Sequence, residues 1–522
     1  MTLRARNMRA RRESLAALMM ALGVLILTQA PYLASELWKP EGTFFVGHPY
    51  PLDTNHYFGQ MLQGARKGVL FYHNHLTTEE HQPAIVFNFY LVLGKLAGVL
   101  GLDFVAAFHL ARLLIGLALI LFLHRASFHF FTRSYERLGF LALVCFSSGF
   151  RAISESNTFR AILYFPHFAA SYLLLAAYFL HFALFGLRAR APTRSLAVCL
   201  FAIFLTAIIH PWNLITMALG SAAFLAFFLA RKAPAWSRKH LSGYLSLVAL
   251  AAGMTGLHLW TQHTNPVFAA LAAQNVMKSE GPQTAINSFG LLWPLAIAGG
   301  VLAALRFRRC PFVFPALWAA AGCALVLAPS AFQRRFYEGL HVPIVLLAAF
   351  VLFDSARRIA TKKALNRRRC VIAATVATLA ATVPFNVASL RFPCLTTDPS
   401  ALYYPPEPTR GAMRWVDAHV PENSNVMASV ATGQLLCRYT LANAFVVHSV
   451  ATVDFAKKRD WMMWFYSGAA SPDDMRRFLR MRNIRYVFYG PWEQFSPDFD
   501  PSRFPWLHLI HTEAEIQVFE TL

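Results

Sequence analysis

Apolar runs of about 20 residues recur along most of this chain, and they restrict its fold more than any other feature. An α-helix of roughly 20 apolar residues is long enough to cross the hydrocarbon core of a bilayer. The first run, LAALMMALGVLILTQA, begins at Leu15, and repetition of such runs gives the chain a hydrophobic content of 56%. The sequence therefore predicts a polytopic α-helical membrane protein.

Eleven segments have the length and composition expected of membrane spans, and a further stretch decides the topology. The segments are residues 15–35, 105–124, 138–153, 161–187, 195–210, 213–230, 241–260, 289–305, 311–329, 340–356 and 370–388. If the additional stretch 84–100 does not cross, every basic cluster between spans lies on the side of the N-terminus, as the positive-inside rule requires. We therefore expect 84–100 to form an interfacial helix in a long external loop, residues 36–104.

The net charge of +22 is explained by this topology, although such a charge can also indicate nucleic-acid binding. The basic residues form short clusters between apolar segments, for example from Arg125 to Arg137 and from Arg357 to Arg369. We therefore expect no nucleic-acid partner and a cytoplasmic N-terminus. Because no small-x-small cleavage pattern follows the first apolar run, we interpret it as an uncleaved span.

The composition changes near residue 390, which predicts a small α/β domain over 390–522 after a transmembrane domain over 1–389. An odd number of spans places this domain outside the cytoplasm. The stretch PTRGAMRWVDAHV has helical spacing, NVMASVAT and IRYVFYG indicate strands, and LHLIHTEAEIQVF indicates a closing hairpin. Ser471 is predicted to cap a helix. Cys394 and Cys437 lie in this region, where one disulfide bridge is compatible with an oxidising compartment.

Two acidic residues are candidates for catalysis. Asp53, in GHPYPLDTNHYFGQMLQGARKG, precedes a predicted helix over Thr54–Lys67, so its carboxylate can accept a proton from a nucleophile at the membrane surface. Asp is also a favoured helix N-cap, and the two roles are compatible. Glu155 lies in the turn between the third and fourth spans. It can face Asp53 across a cavity and share a metal or a sugar hydroxyl, or it can be a solvated loop residue.

A basic pair lies where the positive-inside rule gives no reason for it. In APSAFQRRFYEGLHVP, Arg334 and Arg335 stand at an external membrane boundary beside Glu338. A guanidinium fork there suits the phosphate of a lipid carrier. The alternatives are contact with phospholipid head groups or an ion pair with Glu338.

Histidines are frequent on the predicted external side. The first external loop contains His48, His56, His73, His75 and His81, a composition that resembles a metal site. They lack a fixed ligand spacing, so a polar interfacial loop is the favoured interpretation, and a divalent cation stays an option only. His167 and His210 lie near external span ends and can line one cavity. The residues expected to line a cavity are His56, Tyr57, His167, His210 and Glu338.

The chain contains no phosphate-binding loop, dinucleotide-binding turn or nucleophile elbow. A nucleotide-driven pump or a serine hydrolase would therefore lack its usual parts. An enzyme that takes an activated substrate from the membrane remains compatible with the sequence.

Several stretches together resemble the integral-membrane glycosyltransferases of the GT-C superfamily, which includes protein O-mannosyltransferases, aminoarabinose transferases and oligosaccharyltransferases. The resemblance rests on Asp53 in LDTNHYFGQMLQGARKG, on QPAIVFNFYLVLGKLAGVLGL leading to FHLARLLIGL, and on Glu155 in the turn where members often hold a second acid. QRRFYEGLHVP resembles the segment that binds the carrier phosphate. PTRGAMRWVDAHVPENSNVMASVATG and IRYVFYGPWE resemble the soluble C-terminal domain of many bacterial members. Glu155 stands alone in SES instead of in an acidic pair, which departs from the pattern.

The resemblance implies a hexosyl- or pentosyltransferase of a bacterial inner membrane. The donor would be a polyprenyl-phosphate sugar taken from the membrane lipids, and the acceptor a glycan, lipid or protein of the cell envelope. Asp53 would be the general base, Glu155 the second catalytic acid, and Arg335 with Arg334 would hold the leaving phosphate. Two other classes remain open: a transporter or flippase of a lipid-linked glycan, and a non-catalytic membrane scaffold.

Overall fold

The computed structural model describes residues 3–151, 153–188, 192–230, 237–279, 281–306, 310–392, 395 and 402–522. The first sixteen α-helices of these residues, in chain order, are α1 Leu3–Leu37, α2 Pro51–Arg66, α3 Asn88–Leu100, α4 Phe104–Ser127, α5 Ser134–Phe146, α6 Thr158–Tyr164, α7 Pro166–Leu187, α8 Thr193–Ile209, α9 Asn213–Ala230, α10 Arg238–Thr264, α11 Pro266–Gln274, α12 Pro282–Phe289, α13 Leu292–Leu305, α14 Val313–Leu327, α15 His341–Lys362 and α16 Arg367–Ala388.

The C-terminal part adds short helices and a sheet. These elements are α17 Glu407–His419, β1 Asn425–Met427, α18 Val430–Tyr439, β2 Asn443–Ala444, α19 Phe455–Tyr466, α20 Pro472–Met481, β3 Ile484–Tyr489, β4 Leu507–Glu513 and β5 Ile516–Thr521. Within the described ranges, 3-10 helices cover Ser154–Ser156, Gln333–Tyr337 and Pro501–Arg503.

The chain divides into two compact units. The first unit contains residues 1–31, 109–257 and 277–391, and the second contains 32–108, 258–276 and 392–522. The C-terminal part of the second unit begins close to the predicted boundary at 389/390. The second unit also includes the whole of the predicted first external loop, residues 36–104.

Six helices are long and apolar enough to cross a membrane by length and composition, within the described part of the chain. They are Ala10–Leu37, Phe104–Ser127, Pro166–Leu187, Asn213–Ala230, Arg238–Thr264 and Arg367–Ala388. A seventh span results if α12 and α13, which meet at an angle of 101°, count as one broken span. All eleven predicted segments are wholly or partly helical, whereas the number that cross stays a prediction. α3 has 13 residues, or about 20 Å, which is shorter than a bilayer core.

Two predicted spans are not the continuous helices that the sequence suggested. The segment 161–187 is divided at Phe165, whose backbone is extended at φ −133° and ψ 132°. Pro166 explains the break, because proline lacks a backbone N–H and disfavours the helical conformation of the preceding residue. The predicted span 138–153 is helical only as far as Phe146, where α5 ends, and the backbone of Ser147 is extended.

A five-stranded mixed sheet lies in the second unit, in the order β2-β1-β3-β5-β4. β1 pairs in parallel with β2 and β3, and the antiparallel hairpin of β4 and β5 confirms the prediction for LHLIHTEAEIQVF. The predicted strand NVMASVAT is only half correct. Its second half begins α18, because the Ser429 side chain caps that helix by accepting from the Thr432 N–H. Ser471 caps α20 as predicted, accepting from the Asp474 N–H.

In the second unit, α2 and α3 pack in direct backbone contact through two glycines. A Cβ on Gly64 would lie 1.9 Å from the Leu91 carbonyl oxygen, and a Cβ on Gly94 would lie 1.9 Å from that of Met61. Contacts this short are not available to any other residue type. The two glycines therefore fix the position of α2, the helix that carries Asp53.

We expect Gly94→Ala to destabilise the full chain by roughly 1–3 kcal/mol, because α2 and α3 would have to separate. Gly98→Ala on the same helix is the matched control. Its Cβ would meet only the Ala65 side chain at 3.3 Å, so the higher helix propensity of Ala offsets the crowding. Thermal unfolding in lipid nanodiscs, followed by tryptophan fluorescence, measures both. Equal melting temperatures for the two variants would contradict the close packing.

Candidate functional site

The first unit brings Glu155 together with the two external arginines. Glu155 lies on the 3-10 helix Ser154–Ser156 and is only 2% exposed. Its Oε2 accepts from Arg334 Nη2 at 3.1 Å, and its Oε1 lies 3.6 Å from Arg335 Nη1. The Tyr172 hydroxyl fixes the same turn by donating to the Glu155 carbonyl at 2.9 Å. The alternative that Glu155 is a solvated loop residue is therefore wrong, because two cations from a distant part of the chain enclose it.

The two guanidinium groups keep unused hydrogen-bonding capacity. The Nε atoms of Arg334 and Arg335 are buried and have no hydrogen-bond partner among the described residues. One carboxylate faces two permanently charged guanidinium groups, so this cluster carries an excess positive charge. Planar donors with spare N–H groups suit an anion with several oxygens.

Glu338 does not form an ion pair with the arginines, so this alternative from the sequence analysis is wrong. It is completely buried, and His210 Nδ1 lies 2.6 Å from its Oε1. Trp212 Nε1 donates to Glu338 Oε2 at 3.2 Å, and Asn213 Nδ2 donates to the same atom at 3.0 Å. The bend between α8 and α9 supplies all three partners. A buried carboxylate needs hydrogen bonds to its oxygens, and these contacts reach both oxygens of Glu338.

Trp212 connects this buried carboxylate to the arginine pair. The Arg335 guanidinium lies 5.0 Å from the centre of the Trp212 ring, a cation–π distance. The Trp212 ring also stacks on His210 at 4.3 Å. Glu338 therefore holds Trp212 by its indole N–H, and Trp212 in turn supports Arg335. Glu338 and His210 are positioning residues in this arrangement.

His167 and His210 lie together, as the sequence suggested. Their ring centres are 4.8 Å apart at an interplanar angle of 80°, and the Ser171 hydroxyl lies 3.1 Å from His210 Nδ1. Both histidines are buried. That they line a cavity stays a prediction.

Asp53 lies in the second unit, in the first turn of α2. The helix begins at Pro51 instead of Thr54, and its N-cap is Tyr50, so the prediction that Asp53 is the N-cap is wrong. Pro51 accounts for the earlier start, because proline is favoured in the first turn. The Asp53 side chain is 49% exposed, and His448 Nε2 lies 3.4 Å from its Oδ1. No local signal in the sequence indicates His448, since 395 residues separate the pair.

His56 and Tyr57 follow Asp53 on α2. His56 Nε2 lies 3.1 Å from the Tyr72 hydroxyl and 2.8 Å from Gln60 Nε2, and Tyr57 stacks on Tyr90 at 4.3 Å. Burial lowers the pKa of His56 to about 3, so its ring is neutral at physiological pH. A neutral imidazole here can donate or accept a hydrogen bond without adding charge beside Asp53.

The other loop histidines form a stack in the second unit. The rings of His73 and His81 lie parallel at 4.2 Å, and those of His73 and His75 lie 4.7 Å apart. Among the described residues, no group of three or more His, Cys, Asp or Glu side chains has a geometry that could hold a metal ion. His48 is buried separately and contacts Tyr32 and Phe108. Cys394 lies outside the described residues, so its pairing with Cys437 stays a prediction.

We expect the stability of the chain to fall as the pH is lowered from 6.5 towards 4. Burial lowers the pKa of His75 to about 4, so this ring stays neutral in the folded state while the unfolded chain takes up a proton. The contribution of His75 to the free energy of unfolding is complete above pH 6.5. Below that pH it decreases by up to about 1.4 kcal/mol per pH unit.

His75→Asn tests this pH dependence, because Asn cannot titrate and its amide can still donate to Asn443 Oδ1, which lies 2.9 Å from His75 Nδ1. Melting temperatures of the full chain at pH 7, 6 and 5 should fall less steeply in this variant than in the parent. His508→Asn, on the exposed side of β4, is the control and should keep the parent slope. Identical slopes for all three proteins would contradict the assignment.

Comparison with known proteins shows what the whole chain is similar to. No protein-family model and no curated protein sequence matches it. Among solved structures, it is similar to ArnT from Cupriavidus metallidurans bound to undecaprenyl phosphate, at 13% identity and a TM-score of 0.53, covering 96% of this chain and 98% of that one. It is also similar to the oligosaccharyltransferase AglB from Archaeoglobus fulgidus in complex with an inhibitory peptide and a dolichol-phosphate, at 13% identity, TM-score 0.53, and coverages of 90% and 69%.

A third similar structure is the arabinofuranosyltransferase AftD from Mycobacteria, at 14% identity and a TM-score of 0.54. The match covers 97% of this chain but only 40% of AftD. Three transferases of different length thus share one architecture with nearly the whole of this chain. The chain therefore has the fold of the GT-C membrane glycosyltransferases, as the resemblance of its sequence implied.

Proposed function

We propose that this protein is a membrane glycosyltransferase that moves a hexose or pentose from a polyprenyl-phosphate carrier to an acceptor of the cell envelope. The observation that carries the proposal is the cluster in which Arg334 and Arg335 flank the single buried carboxylate of Glu155 and leave one positive charge in excess. The similar ArnT structure contains undecaprenyl phosphate, and the similar AglB structure contains a dolichol-phosphate. A lipid phosphate supplies the negative charge and the acceptor oxygens that two guanidinium groups can bind.

The proposed reaction is a displacement at the anomeric carbon of the donor sugar. The hydroxyl oxygen of the acceptor forms a bond to this carbon while the bond from the carbon to the phosphate oxygen breaks. The electron pair stays on the departing phosphate, which Arg335 and Arg334 stabilise, and the hydroxyl proton passes to Asp53. Glu155, expected from the sequence to be a second catalytic acid, holds both arginines and is better described as a positioning residue.

The finer topology belongs to the same proposal. Eleven crossings would place the N-terminus in the cytoplasm and the sheet of the second unit outside the plasma membrane, on the side where lipid-linked sugars would be used. α3, at 13 residues, would then lie at the outer interface. Accessibility of single cysteines placed at either terminus in whole cells reports this orientation.

A transfer assay tests the proposed function. Membrane vesicles with the full chain receive polyprenyl phosphates that carry a radiolabelled hexose or pentose, and vesicles without the protein serve as the control. We expect label to pass to envelope acceptors with release of polyprenyl phosphate. Movement of labelled carrier between the leaflets without loss of sugar would favour a flippase instead. The absence of both activities would favour a scaffold.

A further inference from the structure

The second unit contains a cavity of about 510 Å³ at the C-terminal end of α2, which the proposed reaction does not use. Its wall includes Gln63 of α2, Lys67 directly after that helix, and Leu70, Phe71, His73 and His75 further along the chain. Asp53 lies at the other end of the same helix. Gln63, the lining residue of α2 nearest to Asp53, is ten residues further along the helix, or about 15 Å, so the cavity is too far from Asp53 to hold the reacting hydroxyl.

The polar part of the wall is held in place by the protein. Gln63 Nε2 donates to the His73 carbonyl at 2.8 Å, and the His73 N–H donates to Gln63 Oε1 at 3.0 Å. His75 Nδ1 lies 2.9 Å from Asn443 Oδ1, and Lys67 forms an ion pair with Glu422. Because these side chains are already held in place, a ligand would bind without a large loss of their conformational entropy.

The wall carries no net charge. Lys67 is matched by Glu422, and burial lowers the pKa of His73 to about 3 and that of His75 to about 4, so both rings are neutral at pH 7. Neutral imidazoles and amides form hydrogen bonds with hydroxyl groups, whereas a phosphate or carboxylate would enter without a compensating charge. The cavity therefore favours an uncharged ligand rich in hydroxyl groups.

Two large apolar side chains border the same cavity and are exposed. Leu70 and Phe71 are 60% and 57% exposed, although they lie next to a polar wall. An apolar surface beside a few fixed polar groups is the usual composition of a small-molecule site. Sugars present both kinds of surface, with hydroxyl groups at the ring edge and C–H groups on the ring face.

We propose that this cavity binds a neutral glycan, and that the glycan is a part of the acceptor remote from the hydroxyl that reacts. The identification of the glycan as acceptor rests on the proposed function, whereas the binding itself does not. The acceptor would then be a neutral oligosaccharide, or a lipid or protein that carries one.

Sugar binding to the full chain in lipid nanodiscs tests the proposal. Saturation-transfer NMR with maltose, cellobiose and xylobiose measures affinity directly, with glucose 1-phosphate as the anionic comparison. We expect at least one disaccharide to bind the parent. His73→Phe keeps an aromatic ring but removes both nitrogens and should weaken binding about tenfold, while glucose 1-phosphate should bind worse than the neutral sugars.

Phe71→Ala provides a second variant that is safe for folding, because Phe71 is exposed, and it should also weaken binding. Phe495→Ala is the matched control, since Phe495 is a similarly exposed phenylalanine of the second unit and should leave affinity unchanged. If no disaccharide binds the parent better than His73→Phe and Phe71→Ala, the proposal is overturned. The assay uses no donor, so its failure is distinguishable from failure of the transfer reaction.

Discussion

Asp53→Asn is expected to lower sugar transfer by roughly 10²–10⁴-fold, because the amide cannot take the proton of the acceptor hydroxyl. The Asp53 side chain is half exposed, with the His448 ring 3.4 Å away, so the substitution should leave the fold intact. Initial rates with labelled polyprenyl-phosphate sugar measure the effect in membranes that contain equal amounts of protein.

The control for this variant is Asp460→Asn, the same chemical change on the exposed side of α19, where Asp460 contacts Arg459. Its rate should match that of the parent. Loss of activity in Asp53→Asn should appear in kcat, since the base acts in the transition state and not in donor binding. A rate within twofold of the parent would remove Asp53 from the mechanism.

Arg335→Ala is expected to lower transfer by roughly 10²–10³-fold, because the departing phosphate loses a charged donor aimed at the charge that develops. Arg335→Lys should recover only part of this loss, since Lys keeps the charge but lacks the planar fork and the stacking on Trp212. The same labelled assay measures both variants.

Arg358→Ala serves as the control for the loss of a positive charge, because Arg358 is exposed on α15 and pairs only with Asp354 among the described residues. A surface ion pair of this kind contributes little to stability, so parent activity is expected. If Arg358→Ala lowered transfer as much as Arg335→Ala, the effect would be a general loss of charge and not phosphate binding.

The helical architecture could be predicted from the sequence because apolar length is a local signal. Every predicted span contains helical residues, and the stretch LHLIHTEAEIQVF forms the predicted hairpin. The errors lie at breaks within apolar segments. Pro166 interrupts one predicted span, and another ends early at Phe146; an average of hydropathy over a window detects neither feature.

The individual residues of the candidate site could be predicted from the sequence, but the contacts between them could not. Arg334 and Arg335 are predicted because the positive-inside rule gives no reason for them, and Glu155 because it lies in the external turn between two predicted spans. That the arginines contact Glu155 while Glu338 contacts His210 depends on the packing of helices far apart in the chain. The same reason explains why His448 was missed, since only the fold of the second unit brings it to Asp53.

The contacts of Glu338 bear on how a lipid carrier would be bound under the proposed function. Its three partners, His210, Trp212 and Asn213, come from one bend between helices, so they are assembled when the chain folds. Arg335 lies against this assembly through the ring of Trp212. Under the proposed function, a carrier that diffuses in from the bilayer would therefore meet a site whose supporting contacts are already formed, and little of the free energy of binding would be lost to rearrangement.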